Sequence, residues 1–214
     1  VRAGEMPDWG GELEFIEIDN NDEMADAVCA LHAGFRANGY SVQVLTPGHN
    51  SEVGTIALNS DLAPTSENDV PQAIIAGGLV TPGDKVIQTR NDDDRGIFNG
   101  NSGEIISISD NGKIVTVAFD GPKSPVIKFR GKQLADITPA WALTVHKAQG
   151  SEYDVVIIPM STSHWSLLRR TMLNTGITRS KRHCVVVGQT RAIRQALARD
   201  DSRERLTRLS DLLQ

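Results

Sequence analysis

TVHKAQGSEYDVVIIP (144–159) and LNTGITRSKRHCVVVG (173–188) each join a polar, basic turn to a short apolar run. The runs VVIIP (155–159) and CVVVG (184–188) are rich in β-branched residues and bounded by turn formers. They are too short for helices and carry no polar alternation, so they read as buried parallel strands. In open α/β sheets, chemistry collects at strand ends and on flanking loops. His146, Lys147, Gln149 and Arg179 fall there.

A chain of 214 residues buries a real core in one or two domains. Hydrophobic content of 39% and charged content of 23% fit an ordinary globular protein rather than a disordered or membrane-spanning one. No apolar run approaches transmembrane length, and the first residues lack a signal-peptide pattern. Cys29 and Cys184 sit in apolar periodic segments and read as buried thiols in a reducing compartment, which makes the cytoplasm the expected location. The net charge of −5 is unevenly spread. Residues 1–69 hold 2 basic and 13 acidic groups, residues 70–139 hold 8 of each, and residues 140–214 hold 12 basic and 6 acidic. The excess of positive charge lies around and after the two motifs, where phosphate contacts would need it. Arg191, Arg194, Arg199, Arg203, Arg205 and Arg208 read as the solvated face of a terminal helix. Lys147, Arg179, Lys181 and Arg182 are the informative cations.

Along the chain, ELEFIEID (12–19) alternates like a strand, and residues 20–38 predict a helix with Asn20 or Asn21 as N-cap and Gly39 as the stop. Asp22-Glu23 is an acidic pair, but at a helix start it reads as solvated first-turn charge. SVQVLTP (41–47) is a second strand, followed by a helix expected over 50–63 with Asn50 or Ser51 as N-cap. A strand, a Pro-containing loop and a helix N-terminus together make a good phosphate seat. Residues 64–82 read as a connector. GDKVIQTRN, GEIISISD, KIVTVAFD and PVIKFRG are then four short strand candidates, with Asp110-Asn111-Gly112 as a hairpin turn. Such spacing predicts a small antiparallel barrel over 83–134 that interrupts an α/β chain resuming near Ala135. TPAWALTVHKAQ (138–149) is helix-compatible, with Thr138 as N-cap and Pro139 at the first position. A strand over 153–158, a helix over 165–178, a strand over 183–187 and a helix over 191–198 complete the pattern.

The phosphate-cradling loop G-x-x-x-x-G-K-[ST] is absent: Gly112-Lys113 and Gly131-Lys132 are the Gly-Lys pairs, and neither is followed by Ser or Thr.

TVHKAQGSEYD and GITRSK resemble motifs V and VI of superfamily 1 helicases of the RecD/Dda-like (superfamily 1B) branch. GDKVIQTRND…FNGNSGEI resembles the start of the SH3-like barrel (domain 2B) that these helicases insert in their second RecA-like domain (2A). VLTP followed by GT..LN resembles motif IV. The resemblance covers 41–214 and leaves residues 1–11 unexplained. It implies an α/β fold with a RecA-like parallel sheet, divided as 1–82 (2A, first part), 83–134 (2B) and 135–214 (2A, second part). With the missing phosphate loop and a start at Val1, the expectation is the C-terminal part of a longer ATP-dependent, 5′-to-3′ DNA helicase. ATP and Mg²⁺ are then cofactors of the full-length protein and not of this part alone. Single-stranded DNA and the N-terminal RecA-like domain (1A) of the same chain are the expected partners, with no membrane. The competing possibility is a stand-alone nucleic-acid or protein binding module on a RecA-like scaffold.

The resemblance assigns DNA contacts to Thr46, Pro47, Thr55, Thr144, His146, Lys147, Gln149 and Ser151, groups suited to a sequence-independent grip on a strand backbone. A satisfied buried histidine is the alternative for His146. Gly150 and Glu152 fall to the nucleotide, with Glu152 otherwise a partner for Lys147 or Lys181. Arg179, of the Thr178-Arg179 pair, is the implied arginine finger, which stabilises charge on a transferring phosphoryl group. Its alternative is a bidentate structural ion pair with a carboxylate. Asn174 departs from the aromatic residue of many relatives. Trp141 and Trp165 are expected to pack in the core, and Asp92, Asp93 and Asp94 to be solvated.

Overall fold

Six consecutive residues, Val155 to Met160, are fully buried in the computed structural model, as an all-apolar strand covered on both faces requires. The structure describes residues 1, 4–63, 70–121 and 125–199. Arg203, Arg205 and Arg208 lie outside them. In chain order the elements begin with β1 (Leu13–Glu17), α1 (Asn21–Ala37), β2 (Val42–Thr46) and α2 (Thr55–Leu62). Next come β3 (Ala73–Ile75), β4 (Gly78–Val80), β5 (Lys85–Gln88), β6 (Ser102–Ser109), β7 (Ile114–Phe119), β8 (Val126–Arg130), β9 (Ile137–Pro139) and β10 (Ala142–Thr144). The series ends with β11 (Tyr153–Met160), α3 (Arg170–Ile177), β12 (Ser180–Gly188) and α4 (Thr190–Ala198). They fall into two compact units, residues 1–53 with 144–214, and residues 54–143.

The first unit is α/β. β1, β12, β11 and β2 are neighbours in that order, all parallel, and β10 extends the sheet beside β2. β11 and β12 run in register from Val155 opposite His183 to Met160 opposite Gly188. A Cβ at Gly188, where φ is +146°, would overlap the Met160 carbonyl, so only glycine lets the strands close there. Asn20 caps α1 by accepting from the backbone N–H groups of Asp22 (2.8 Å) and Glu23 (3.1 Å). The Asp22-Glu23 pair is thus first-turn charge. Trp9 stacks on Phe15 at 5.1 Å, which ties the first residues to β1.

The second unit is built on a five-stranded antiparallel sheet, β8-β7-β6-β5-β9, and the β3-β4 hairpin. Their inward residues, among them Ala73, Ile75, Val80, Val86, Ile105, Val117, Phe129 and Ile137, form one core. Asp110 and Asn111 turn the β6-β7 hairpin with φ of +53° and +51°. The unit is wider than 83–134, because β9 pairs with β5 (Ile87 opposite Thr138) and the β3-β4 hairpin shares the core. α2 joins it too: the Asn59 amide donates to the Ala142 carbonyl (2.9 Å) and accepts from the Ala142 N–H (3.0 Å). No described helix is long and apolar enough to cross a membrane.

Three helix expectations are corrected. Residues 138–149 form β9, β10 and a run of turns. Pro139 through Val145 are all buried, which leaves no polar face for a helix, and Trp141 Nε1 donates to Asp84 inside the second unit at 3.3 Å. The helix after β2 starts at Thr55 rather than near Asn50, because Ser51 adopts φ +91° and Gly54 is the N-cap. Residues 165–178 divide into a 3-10 segment (Thr162–Leu167) and α3, and Trp165 is 47% exposed rather than packed in the core.

Candidate nucleic-acid and nucleotide face

Two anchors shape the segment from Thr144 to Glu152. Val145 and Ala148 are buried, while Lys147 N and Ala148 N donate to the Thr144 carbonyl (2.9 and 3.3 Å) and Gln149 N donates to His146 O (3.3 Å). Successive turns pinned this way push His146, Lys147 and Gln149 into solvent. None of these three side chains has a hydrogen bond or ion pair among the described residues, which disfavours the buried-histidine alternative for His146. Thr144 itself is buried. Gly150 has φ +91° and nothing within 4 Å of a hypothetical Cβ, a turn with open space beside it.

The segment spans the sheet. Val145 N–H donates to Thr46 O (3.2 Å) at the carboxyl end of β2, and Tyr153 opens β11 at its amino end, donating to Arg179 O (2.9 Å). Arg179 therefore stands at the amino ends of β11 and β12, opposite to the carboxyl-end rule for open sheets. Gly176 brings α3 against β11, since a Cβ there would lie 2.9 Å from Ile158 Cδ1. Among the described residues, the half-buried Arg179 guanidinium bonds only to uncharged oxygens: Ser151 O (3.2 Å), Thr175 O (3.3 Å) and Thr178 Oγ1 (3.3 Å). The carboxylates nearby are engaged by other cations, Glu152 by Lys181 and Asp154 by Arg182, each at 3.8 Å and exposed enough to be weak. Among the described residues Arg179 thus has no carboxylate partner of the kind a structural ion pair demands.

At the carboxyl edge, Thr46 is fully buried and its hydroxyl donates to Val53 O at 2.7 Å. Pro47 is buried as well. Thr55 is buried at the first turn of α2, in the other unit. The structure thus brings Thr46 to the backbone beside Thr144, and Ser151 and Glu152 to the amino edge with Arg179.

A polar network at the carboxyl edge is not evident from the sequence. Asn21 donates to Glu52 (3.0 Å) and accepts from Ser161 Oγ (2.7 Å). The buried His164 Nε2 lies 2.8 Å from Asn50 O and 3.1 Å from Ser51 Oγ. A carbonyl only accepts, so Nε2 carries the hydrogen, and Nδ1 is left buried without a partner. Burial lowers the His164 pKa, against the upward pull of the Asn50 carbonyl and the Glu52 charge. Asp92 is structural, accepting from Arg95 N (3.1 Å) and pairing with its side chain (3.5 Å).

A parallel sheet flanked by helices, interrupted in sequence by a small antiparallel unit, is a RecA-like architecture. Comparison with known proteins narrows this class. The UvrD-like helicase C-terminal domain matches residues 139–187, and the ATP-dependent RecD-like DNA helicase SH3 domain matches residues 57–119. The chain is 35% identical over 197 residues to the ATP-dependent RecD2 DNA helicase of Deinococcus radiodurans, covering 92% of this chain and 27% of that protein. It is 32% identical over 117 residues to the RecBCD enzyme subunit RecD of Mycobacterium tuberculosis, covering 55% and 20%. A crystal structure of the Pif1 helicase from Candida albicans aligns with a TM-score of 0.49 at 15% identity, over 78% of this chain and 52% of that one. The chain belongs to the RecD-like superfamily 1B helicases, as their C-terminal region, a RecA-like domain with an inserted SH3-like barrel. It spans about a quarter of the length of the RecD2 relative.

Proposed function

We propose that this chain is the 2A/2B part of an ATP-dependent DNA helicase, gripping single-stranded DNA through the motif V segment and supplying the arginine finger. The observation that carries this reading is the Arg179 guanidinium, half-buried at a sheet edge and bonded, among the described residues, only to uncharged oxygens. The bonds to these uncharged oxygens carry charge on the donor alone, whereas phosphate oxygens add charge on the acceptor and match the guanidinium fork bidentately, which makes them the stronger partner. Ser151 O, Thr175 O and Thr178 Oγ1 therefore hold the guanidinium in place without competing against a phosphate. Gly150 gives the backbone room for close approach, and Glu152, held only by an exposed ion pair, is available to a ribose hydroxyl. His146, Lys147 and Gln149 face solvent together as hydrogen-bonding groups for a phosphodiester backbone.

Bound Mg-ATP supplies the phosphoanhydride whose hydrolysis drives translocation. Its phosphate cradle and magnesium ligands belong to a 1A domain elsewhere in the parent chain, so the 214 residues alone offer one side of the cleft. The test is DNA-stimulated ATP turnover of the parent enzyme as wild type, Arg179→Ala and Arg179→Lys, with nucleotide affinity measured alongside. The expectation is a fall in kcat on the order of 10³ at nearly unchanged affinity, with poor rescue by lysine. A fall under about tenfold, within the span of an ordinary hydrogen bond, would remove the finger.

A further inference from the structure

The outward face of the β3-β4 hairpin carries apolar side chains that the core does not use. Ile74 and Leu79 sit directly opposite one another across the hairpin and are 76% and 53% exposed, while Ala73, Ile75 and Val80 point into the core. Together with the half-buried Ile114 and Leu134 they floor a groove of about 620 Å³ within the second unit. One wall is the β6-β7 turn, which lies so close to the chain leading into β3 that a Cβ at Gly112 would come within 2.6 Å of Gln72 O. Paired large aliphatics left in water on a small sheet mark a contact surface rather than packing.

The rim is cationic. Lys113 and Arg130 line the groove, exposed and without a carboxylate partner among the described residues, and Asp110 is the single acid in the lining. Lys128 is exposed two residues before Arg130, alternating with the core-facing Ile127 and Phe129. Aliphatic floor and basic rim together call for an occupant that offers carboxylates beside apolar side chains. Single-stranded nucleic acid is the poorer fit, because such strands are held by stacking on aromatic rings and this lining has none.

We propose that this groove on the barrel is a docking site for a short acidic peptide segment of a partner protein, anchored by aliphatic or aromatic side chains between Ile74 and Leu79 and steered by Lys113 and Arg130. The proposal does not rest on the nucleotide chemistry above.

The test is fluorescence anisotropy of the 214-residue protein with a labelled peptide alternating Asp and Leu, a Lys-for-Asp control peptide and a labelled oligothymidylate. The acidic peptide should bind, weaken as salt rises from about 0.05 to about 0.3 M, and lose at least about tenfold in affinity in Ile74→Ser/Leu79→Ser and in Lys113→Glu/Arg130→Glu. Thermal unfolding recorded in parallel checks each fold, and Ile74→Ser alone carries the test if a double variant unfolds. Absence of peptide binding overturns the proposal, as does binding that the Ile74 change leaves untouched. Oligothymidylate binding that is lost in the charge reversals while the peptide never competes would make the surface a nucleic-acid contact instead.

Discussion

Arg179 Nη1 donates to the main-chain oxygen of Ser151 at 3.2 Å, linking the end of α3 to the turn that leads into β11. The acceptor is a backbone atom, so any side chain at 151 preserves the link, and only the arginine can be removed. Three hydrogen bonds from a half-exposed guanidinium to uncharged oxygens should stabilise the fold by about 1–3 kcal/mol in total, since each replaces bonds to water. Arg179→Ala should therefore lower the urea unfolding free energy of the 214-residue protein only to that extent. A loss above about 3 kcal/mol would identify a structural keystone and demand reinterpretation of any kinetic effect.

Lys147 projects from a turn whose neighbours Val145 and Ala148 are buried, so its truncation should leave stability unchanged. In the parent enzyme, Lys147→Ala should flatten the dependence of log K on log salt for single-stranded DNA by about 0.7. Equal slopes for wild type and variant would take Lys147 off the DNA path.

His164 gives the fold a pH dependence with a definite sign. Burial lowers its pKa in the folded state, while the unfolded chain titrates near 6.5. Below that value the unfolded state binds the proton more readily, so the stability present above pH ~6.5 is lost as pH falls toward the depressed folded pKa. Unfolding midpoints in urea at mildly alkaline and mildly acidic pH should diverge in the wild type and converge in His164→Gln. An identical pH response in both proteins would show that His164 does not titrate on unfolding.

The insert should be separable at the edges of its compact unit. Val53 O and Val145 N both bond to Thr46, so the chain leaves and re-enters the α/β unit at one residue. Replacing residues 54–143 with about six Gly/Ser residues should leave a cooperative thermal transition. Removing only 83–134 should do worse, because β9 loses β5 and the β3-β4 hairpin loses its core partners. Equal cooperativity in both deletions would argue for the narrower boundary.

Much of the α/β architecture was legible because VVIIP and CVVVG are buried on both faces, a state that forbids the polar alternation of surface elements. The Asp110-Asn111 turn was legible for a local reason, the tolerance of these residues for positive φ. Residues 138–149 were not, since a Thr-Pro start and mixed polarity mimic a helix, and the pairing that overrules it comes from Val86 and Ile87, about fifty residues upstream. In the candidate site, the exposure of Lys147 and the bonding of Arg179 to uncharged oxygens depend on which backbone atoms the fold brings near. The motif gives the residue types, and tertiary contacts decide their company. The His164 network is not legible in the sequence because its members lie on three distant segments, Asn21, Glu52, and Ser161 with His164, with no shared periodicity.

Thr46 has a further implication for how such a chain is assembled. Its hydroxyl holds the outgoing strand of chain and its carbonyl the returning one. Both ends of the intervening segment are thus tied to a single residue at the carboxyl end of β2. Both partners, Val53 and Val145, belong to the α/β unit, so a change confined to the residues between them removes neither tether, and Thr46 marks the point in the chain at which a segment of any length begins and ends.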